Sequence, residues 1–142
     1  LDVTIQAQIL ELLKNLQKEN NLSTIMITHN MAVVAETCSR VNVMYAGRIV
    51  ESGKAVNLFD KPVHPYTQAL LRSIIRLDNE SSRLETIPGV MPDLINVPSG
   101  CAFHPRCSES FPLCVEKKPD LLAVTQNHFS ACHLRKEHAK LS

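Results

Sequence analysis

Residues 24–51, TIMITHNMAVVAETCSRVNVMYAGRIVE, decide the fold class of this chain. Thr24–Thr28 is short with a continuous apolar centre, which is typical of a parallel strand that is covered on both faces. Met31–Cys38 predicts a short helix, and residues 41–51 predict an antiparallel hairpin that turns at Gly47. With one helix before them, these elements give the order helix, strand, helix, strand, which predicts an α/β fold.

Further helices are predicted on either side of this stretch. Residues 3–18 carry an apolar stripe at helical spacing, with Asp2 as the N-cap. Residues 55–59 predict one or two helical turns. Pro65 is placed to open another helix, because proline is favoured at the first helical position. One apolar face of that helix is formed by Tyr66, Leu70, Ile74 and Leu77.

The character of the sequence changes near residue 80. Residues 88–119 contain six of the eight prolines, so little regular structure is expected there. We therefore predict two parts. Residues 1–80 form the α/β part, and residues 81–142 form an irregular appendix that is rich in proline and cysteine.

The composition is that of a soluble globular protein. Hydrophobic residues make up 44% of the 142 residues and charged residues 20%, which excludes a disordered tail. The formal net charge is only +1 and aromatic residues make up 4%, so a nucleic-acid partner is not expected. No apolar stretch approaches the roughly 20 residues that cross a bilayer, and no export signal is found. Because the chain begins at Leu1, we expect that residues upstream are missing.

Four cysteines in the last third of the chain follow the pattern C-x5-C-x6-C-x17-C. They are Cys101, Cys107, Cys114 and Cys132. In a reducing cytosol, clustered cysteines are ligands or free thiols rather than disulfides. Four thiolates supply a tetrahedral zinc set or the four corners of a [4Fe–4S] cluster, and spacings of five and six are looser than usual zinc pairs. The pattern therefore favours iron–sulfur over zinc, and the alternative is four reduced thiols or disulfides formed in air.

His29 is the candidate for contact with a phosphate. It follows the carboxyl end of the predicted strand, where ligands gather in open α/β sheets, and an imidazole can donate a hydrogen bond to a phosphate oxygen. The alternative is a half-buried histidine bonded to nearby backbone. Cys38 is expected to be a buried thiol and Tyr66 a packing residue. Exposure to solvent is expected for Arg48, Lys117, Lys118, His128, His133 and His138.

Six motifs together indicate a family: Leu1-Asp2, Thr28-His29-Asn30, Val43–Gly53, His64–Leu71, Ile87–Pro92 and Pro98–Cys107. They resemble the carboxyl-terminal part of the ATP-binding subunits of bacterial oligopeptide and dipeptide ABC transporters. The resemblance implies that Asp2 ends the D-loop at a subunit interface. It also implies that His29 is the switch histidine that senses the γ-phosphate of ATP. The cysteine segment is similar to segments that hold a [4Fe–4S] cluster in this family, which strengthens the iron interpretation.

The resemblance also predicts what this chain lacks. The sequence contains no phosphate loop of the form G-x-x-x-x-G-K followed by Ser or Thr, and in the family that loop precedes the position of Leu1. We therefore expect an incomplete P-loop NTPase sheet. The chain alone should neither bind ATP tightly nor hydrolyse it, because the phosphate cradle, its lysine and Mg²⁺ are needed together. An exposed edge near Met26 should make it self-associate.

For the intact protein, the resemblance implies an ATP-hydrolysing subunit that uses ATP and Mg²⁺ to power peptide import. Its partners would be a second ATPase subunit and two transmembrane permeases, at the cytoplasmic face of the cell membrane. An alternative from another class is a free-standing metal-binding module whose cysteine region engages a protein partner. Which peptides are carried does not follow from the sequence.

Overall fold

The structure is a computed structural model that describes residues 3–75 and 87–136. The chain divides into two compact units, residues 1–38 and residues 39–142. Each unit is described by itself below. The boundary predicted near residue 80 falls inside the second unit.

The first unit contains two helices, α1 (Val3–Asn20) and α2 (Met31–Thr37). Both confirm the sequence prediction, although the predicted cap Asp2 lies outside the described residues. Helix α1 ends at Asn21, which has a φ of 52°, and asparagine tolerates this left-handed conformation better than most residues. Helix α2 begins after Asn30, whose side-chain oxygen accepts hydrogen bonds from two backbone N–H groups at 3.1 and 3.3 Å.

Residues 22–28, between these helices, form no strand. The parallel strand predicted at Thr24–Thr28 is therefore wrong. Ile25 and Ile27 are 91% and 96% exposed. The backbone groups of a strand are paired by neighbouring strands, and no strand in the described part of the chain pairs with this segment.

The second unit contains a four-stranded sheet in the order β1-β2-β4-β3, and all of its neighbours are antiparallel. The strands are β1 (Arg40–Tyr45), β2 (Arg48–Lys54), β3 (Leu122–Thr125) and β4 (His128–Ser130). The fold thus combines helices with a sheet, as expected of an α/β protein. The parallel sheet of a P-loop fold is not found within residues 3–75 and 87–136, because these strands pair only in antiparallel fashion.

The hairpin β1–β2 confirms the sequence prediction. Its two-residue turn consists of Ala46 and Gly47, with φ values of 46° and 75°. Two consecutive positive φ values belong to a type I′ turn, whose twist matches that of the flanking strands. The second hairpin, β3–β4, turns at Asn127, where φ is 67°. That hairpin did not follow from the sequence.

Three helices and two 3-10 turns complete the described part of the second unit. The helices are α3 (Ala55–Asp60), α4 (Pro65–Ile75) and α5 (Pro112–Glu116), and the turns are His104–Arg106 and His133–Lys136. Pro65 occupies the first position of α4, as predicted. Leu77, assigned to the same helix face, lies outside the described residues.

An aromatic cluster forms the centre of the second unit. The ring of Tyr45 lies 4.7 Å from that of Tyr66 and 5.2 Å from that of Phe103, measured between centroids. These rings come from β1, α4 and the cysteine-rich segment. Arg106 adds bonds from its side chain to the carbonyl oxygens of Pro88 and Ile87, at 2.8 and 3.1 Å. Residues on both sides of residue 80 therefore share one core, and the appendix is built onto the hairpin.

Candidate cysteine site

The four cysteines of the pattern line one small cavity, together with His104 and His133. They reach it from four separate pieces of chain, because each lies in a different loop or short helix. None of the four forms a disulfide within the described residues, and Cys114 is buried while the other three are half-buried. The structure thus brings together the residues that the sequence pattern grouped.

Backbone hydrogen bonds hold Cys101 and Cys114 side by side. The N–H of Cys101 donates to the carbonyl oxygen of Cys114 at 2.8 Å. Gly100, with a φ of 65°, makes this approach possible, because a Cβ there would overlap the carbonyl oxygens of Cys114 and Val115. Ser99 contributes a further bond from its hydroxyl to the Val115 oxygen at 3.0 Å.

Cys107 is held at the end of the 3-10 turn. Its N–H donates to the carbonyl oxygen of His104 at 3.3 Å, and its own carbonyl oxygen accepts from Ser110 N–H at 3.2 Å. The ring nitrogen Nδ1 of His104 lies 2.9 Å from the carbonyl oxygen of Cys101. Hydrogen bonds within the protein therefore hold the backbones of the first three cysteines in place without a ligand.

The surroundings of Cys101 and Cys107 favour the protonated form of these two thiols. Burial raises the pKa of Cys101 above its ordinary value, and the nearby Cys114 adds to that rise while backbone N–H groups of Phe103 and His104 oppose it. Burial likewise raises the pKa of Cys107. Because only thiolates ligate metals, loading this site would release protons.

A zinc ion and a [4Fe–4S] cluster require different arrangements of their cysteine sulfurs. Within the described ranges, no group of three or more His, Cys, Asp or Glu side chains is arranged to hold a metal ion. A single zinc ion needs its sulfurs to converge at about 2.3 Å from one point. In a [4Fe–4S] cluster each cysteine binds its own iron. The four sulfurs must surround the cluster and need not converge on one point. Four thiols around one cavity supply the donor type that both kinds of site use.

His133 is buried, which contradicts the expectation that it is exposed. It is only 6% exposed, and its Nε2–H donates to the carbonyl oxygen of Lys117 at 2.7 Å. Its other ring nitrogen, Nδ1, is buried with no hydrogen-bond partner. Hydropathy alone predicts that a histidine in a polar segment near the chain end is exposed to solvent. In the structure, residues that flank α5 cover His133.

A second buried polar group, Glu51 on β2, was not found from the sequence. Its carboxylate is fully buried and accepts hydrogen bonds from the N–H groups of Val63 and His64 at 2.7 and 3.0 Å. It also lies 2.8 Å from Nε2 of His128, which is 4% exposed. The expectation that His128 is exposed is therefore wrong. No local signal marks this pair, because its members lie 77 positions apart.

The candidate phosphate contact lies in the first unit. His29 is exposed and immediately precedes Asn30, whose N–H donates to the Thr28 hydroxyl at 3.0 Å. Asp2 and His138 lie outside the described residues. Cys38 is half-buried rather than buried. Tyr66 packs against its aromatic neighbours, as expected.

The other expected surface residues agree with the structure, since Arg48, Lys117 and Lys118 are exposed. None of the helices described in the two ranges has the length and apolar character needed to cross a membrane.

Comparison with known proteins finds the same resemblance that the motifs indicated. Residues 50–114 match the family described as the carboxyl-terminal region of oligopeptide/dipeptide transporters. This range contains most of the hairpin strand β2, all of helix α4 and three of the four cysteines.

The relatives are ATP-binding proteins of peptide transport. The chain is 48% identical over 132 residues to the oligopeptide transport ATP-binding protein of Salmonella typhimurium, covering 93% of this chain and 39% of that protein. It is 45% identical over 133 residues to the dipeptide transport ATP-binding protein of Escherichia coli, covering 94% and 41%. With that of Haemophilus influenzae it shares 52% over 121 residues, covering 85% and 37%. The chain therefore spans about two fifths of the length of these relatives and is similar to their carboxyl-terminal part.

Proposed function

We propose that this chain is the carboxyl-terminal part of an ATP-hydrolysing subunit that powers peptide import across the cytoplasmic membrane. The observation that carries the proposal is similarity over more than nine tenths of the chain to ATP-binding proteins of oligopeptide and dipeptide transport. The intact subunit would use ATP and Mg²⁺. It would lie on the cytoplasmic face of the membrane, with a second ATPase subunit and two permease subunits as partners.

Within that subunit, His29 would donate a hydrogen bond to the γ-phosphate of ATP, and Asp2 would lie at the interface with the second ATPase subunit. The exposed position of His29 next to the capped start of α2 supports this role, because its ring is accessible to a ligand. An imidazole N–H can donate a hydrogen bond to an oxygen of the transferring phosphoryl group. Phosphoryl transfer requires such stabilisation of the negative charge on these oxygens.

The chain by itself would not hydrolyse ATP, and it would self-associate. The exposed apolar segment 22–28 supports self-association, since Ile25 and Ile27 present apolar surface on which another chain could pack. We assign residues 1–80 to the nucleotide-binding domain and residues 81–142 to the extension that peptide transporters carry. Light scattering tests the association, and a clean monomer at high concentration would contradict it.

Transport is the direct test. The full-length subunit is reconstituted with its permeases in vesicles, and ATP-dependent uptake of labelled oligopeptides is measured. We expect uptake that needs Mg²⁺ and that falls about 100-fold or more in His29→Ala. Arg48→Ala, at an exposed position of the second unit outside the cysteine cavity, is the control and should retain transport. Uptake that survives His29→Ala unchanged would refute the role of this residue, and no uptake of any peptide would refute the function.

We further propose that Cys101, Cys107, Cys114 and Cys132 hold a [4Fe–4S] cluster, with zinc as the alternative. The shared cavity lined by all four thiols supports this. Such a group, when bound, would staple a region poor in apolar residues and could carry one electron. Four cysteine ligands leave no open position for substrate.

Anaerobic purification followed by iron, sulfide and zinc analysis tests the metal centre. We expect about four iron and four sulfide per chain, lost in Cys107→Ser and retained in Cys38→Ser. Cys38 is the matched control because it lies in the first unit, outside the cavity. One zinc per chain without sulfide would select the alternative. Iron, sulfide and zinc all well below one equivalent would overturn the proposal.

A further inference from the structure

We infer that His133 is the positioning residue of the four-cysteine site and that it sets the place of Cys132 against the segment that carries Cys114. The inference rests on the metal centre proposed above, and it concerns a residue to which that proposal gives no role. His133 acts through a hydrogen bond and through packing, and it is not a metal ligand.

The bond between His133 and Lys117 joins two distant pieces of chain. His133 follows Cys132 directly, and Lys117 is the residue at which α5, the helix of Cys114, ends. Nε2–H of His133 donates to the Lys117 carbonyl at 2.7 Å, across 16 positions of sequence. This bond is short enough to be strong. It therefore fixes the distance between the fourth cysteine and the third.

Backbone hydrogen bonds already hold the first three cysteines. Cys101 is bonded through its backbone to Cys114, and Cys107 through its backbone to His104. Upstream of Cys132, the N–H of Ala131 donates to the carbonyl oxygen of Val50 at 2.8 Å, which attaches the chain to the sheet. Downstream, the bond from His133 attaches it to α5. Cys132 is thus held between the sheet and the helix that carries its neighbour.

Packing alone does not explain an imidazole at this position. The ring of His133 meets that of Phe111 edge to face, with centroids 6.3 Å apart, and an apolar ring could make the same contact. The other ring nitrogen of His133, Nδ1, is buried without a hydrogen-bond partner. A buried polar atom without a partner destabilises the fold. A phenylalanine would avoid that cost but would lose the bond to Lys117.

Two substitutions separate positioning from packing. His133→Phe keeps the ring and removes the donor, whereas His133→Gln keeps an N–H that can reach the carbonyl oxygen. Gln68→Leu is the matched control, because it removes a side-chain bond to the Pro62 carbonyl at 3.0 Å outside the cysteine cavity. All chains are purified anaerobically. The measurements are iron and sulfide content, the rate at which a chelator bleaches the cluster absorbance, and the melting temperature of the metal-free reduced protein.

We expect His133→Phe to lose the cluster about tenfold faster than the wild type, with His133→Gln restoring most of that difference. The melting temperature of metal-free His133→Phe should fall no further than that of Gln68→Leu. Equal iron content and equal bleaching in His133→Phe would overturn the inference and leave the metal centre standing. Parallel loss of iron and of melting temperature in His133→Phe would also overturn it, since that is a general loss of stability.

A second measurement does not depend on metal. In the reduced, metal-free protein, alkylation of Cys132 by iodoacetamide is followed by peptide mass spectrometry relative to Cys38. We expect the rate at Cys132 to rise about threefold or more in His133→Phe, because the last turn opens without its bond. If the wild type binds no metal but this rise occurs, the metal centre is overturned and the positioning of Cys132 stands. If the wild type binds no metal and the alkylation rate of Cys132 does not rise in His133→Phe, both the metal centre and the positioning role are overturned.

Discussion

Residues 22–28 and the hairpin β1–β2 have similar strand-like sequences, yet only the hairpin forms strands. In the hairpin, β2 begins only two residues after β1 ends, across a type I′ turn. The two strands pair from Arg40 opposite Lys54 to Tyr45 opposite Arg48. Segment 22–28 has no partner in the described chain, and its isoleucines face solvent. The comparison teaches that apolar, β-prone residues form a strand only where a second strand is available. Four substitutions or titrations test this comparison.

Removal of Glu51 should have the largest effect, because this residue attaches the hairpin to the rest of the second unit. In Glu51→Ala the N–H groups of Val63 and His64 and the ring of His128 lose this acceptor in a buried place. We expect a loss of about 3–5 kcal/mol in the free energy of unfolding. Denaturant unfolding is followed by tyrosine fluorescence, since both tyrosines of the chain lie in the second unit.

The control for Glu51→Ala is Ser52→Ala on the same strand. The Ser52 hydroxyl donates an exposed hydrogen bond to Asn42 at 2.6 Å, and its loss should cost below about 1 kcal/mol. Equal losses in the two variants would show that the buried carboxylate does not hold the hairpin in place.

Gly100→Ala should come next and tests how closely the appendix packs. The added Cβ meets the backbone of Cys114 and Val115 and also sits at a positive φ, so we expect a loss of about 2–3 kcal/mol. Gly47→Ala separates the two causes, because its φ is 75° but nothing lies within 4 Å of the added atom. Backbone strain alone should cost about 1 kcal/mol there. If both variants lose the same amount, the close approach at Gly100 is not a constraint.

Alkaline pH should destabilise the metal-free, reduced protein. Burial raises the pKa of Cys101 and Cys107 above the ordinary value of 9.0, so the fold favours the protonated thiols. That contribution is complete below the ordinary pKa and is lost as the pH rises through the raised values. Unfolding measured from about pH 8 to about pH 11 should show this fall, and it should be shallower in the variant Cys101→Ser with Cys107→Ser. A slope that the double variant leaves unchanged would assign the effect elsewhere.

Ile27→Ser should have the smallest effect on stability. Ile27 is almost fully exposed, so its replacement should change the free energy of unfolding by less than about 0.5 kcal/mol. Circular dichroism of the helices of the first unit measures this, and light scattering should show weaker self-association. A loss above about 1 kcal/mol in a monomeric sample would mean that segment 22–28 is paired within the chain itself.

Elements that depend on near neighbours were predictable. Helix α1 follows from its apolar spacing, α2 from Asn30 and the residues after it, and the start of α4 from Pro65. The first hairpin follows from its apolar strands and the glycine at its turn. Each of these signals lies within a few positions of the structure that it specifies, so the sequence could be interpreted locally. The family was also predictable, because its motifs are short and specific.

Elements that depend on distant partners were not predictable. The buried states of His128 and His133 require Glu51 and the Lys117 carbonyl, which lie 77 and 16 positions away. The sheet order β1-β2-β4-β3 joins residues near 50 to residues near 130. A polar side chain is expected in solvent unless its partner is known. Hydropathy therefore assigned both histidines to the surface.

The sequence by itself determined helices α1 to α4, the first hairpin, the grouping of four cysteines and the similarity to peptide-transport ATP-binding proteins. Only the tertiary structure decided that the four thiols share one cavity, that Glu51 is buried with His128, and that His133 joins the last turn to α5. The physical reason is the range of the interactions. Backbone propensity and turn chemistry act over a few residues, whereas the burial of a charge or a ring nitrogen is fixed by whichever distant segment supplies its hydrogen bond.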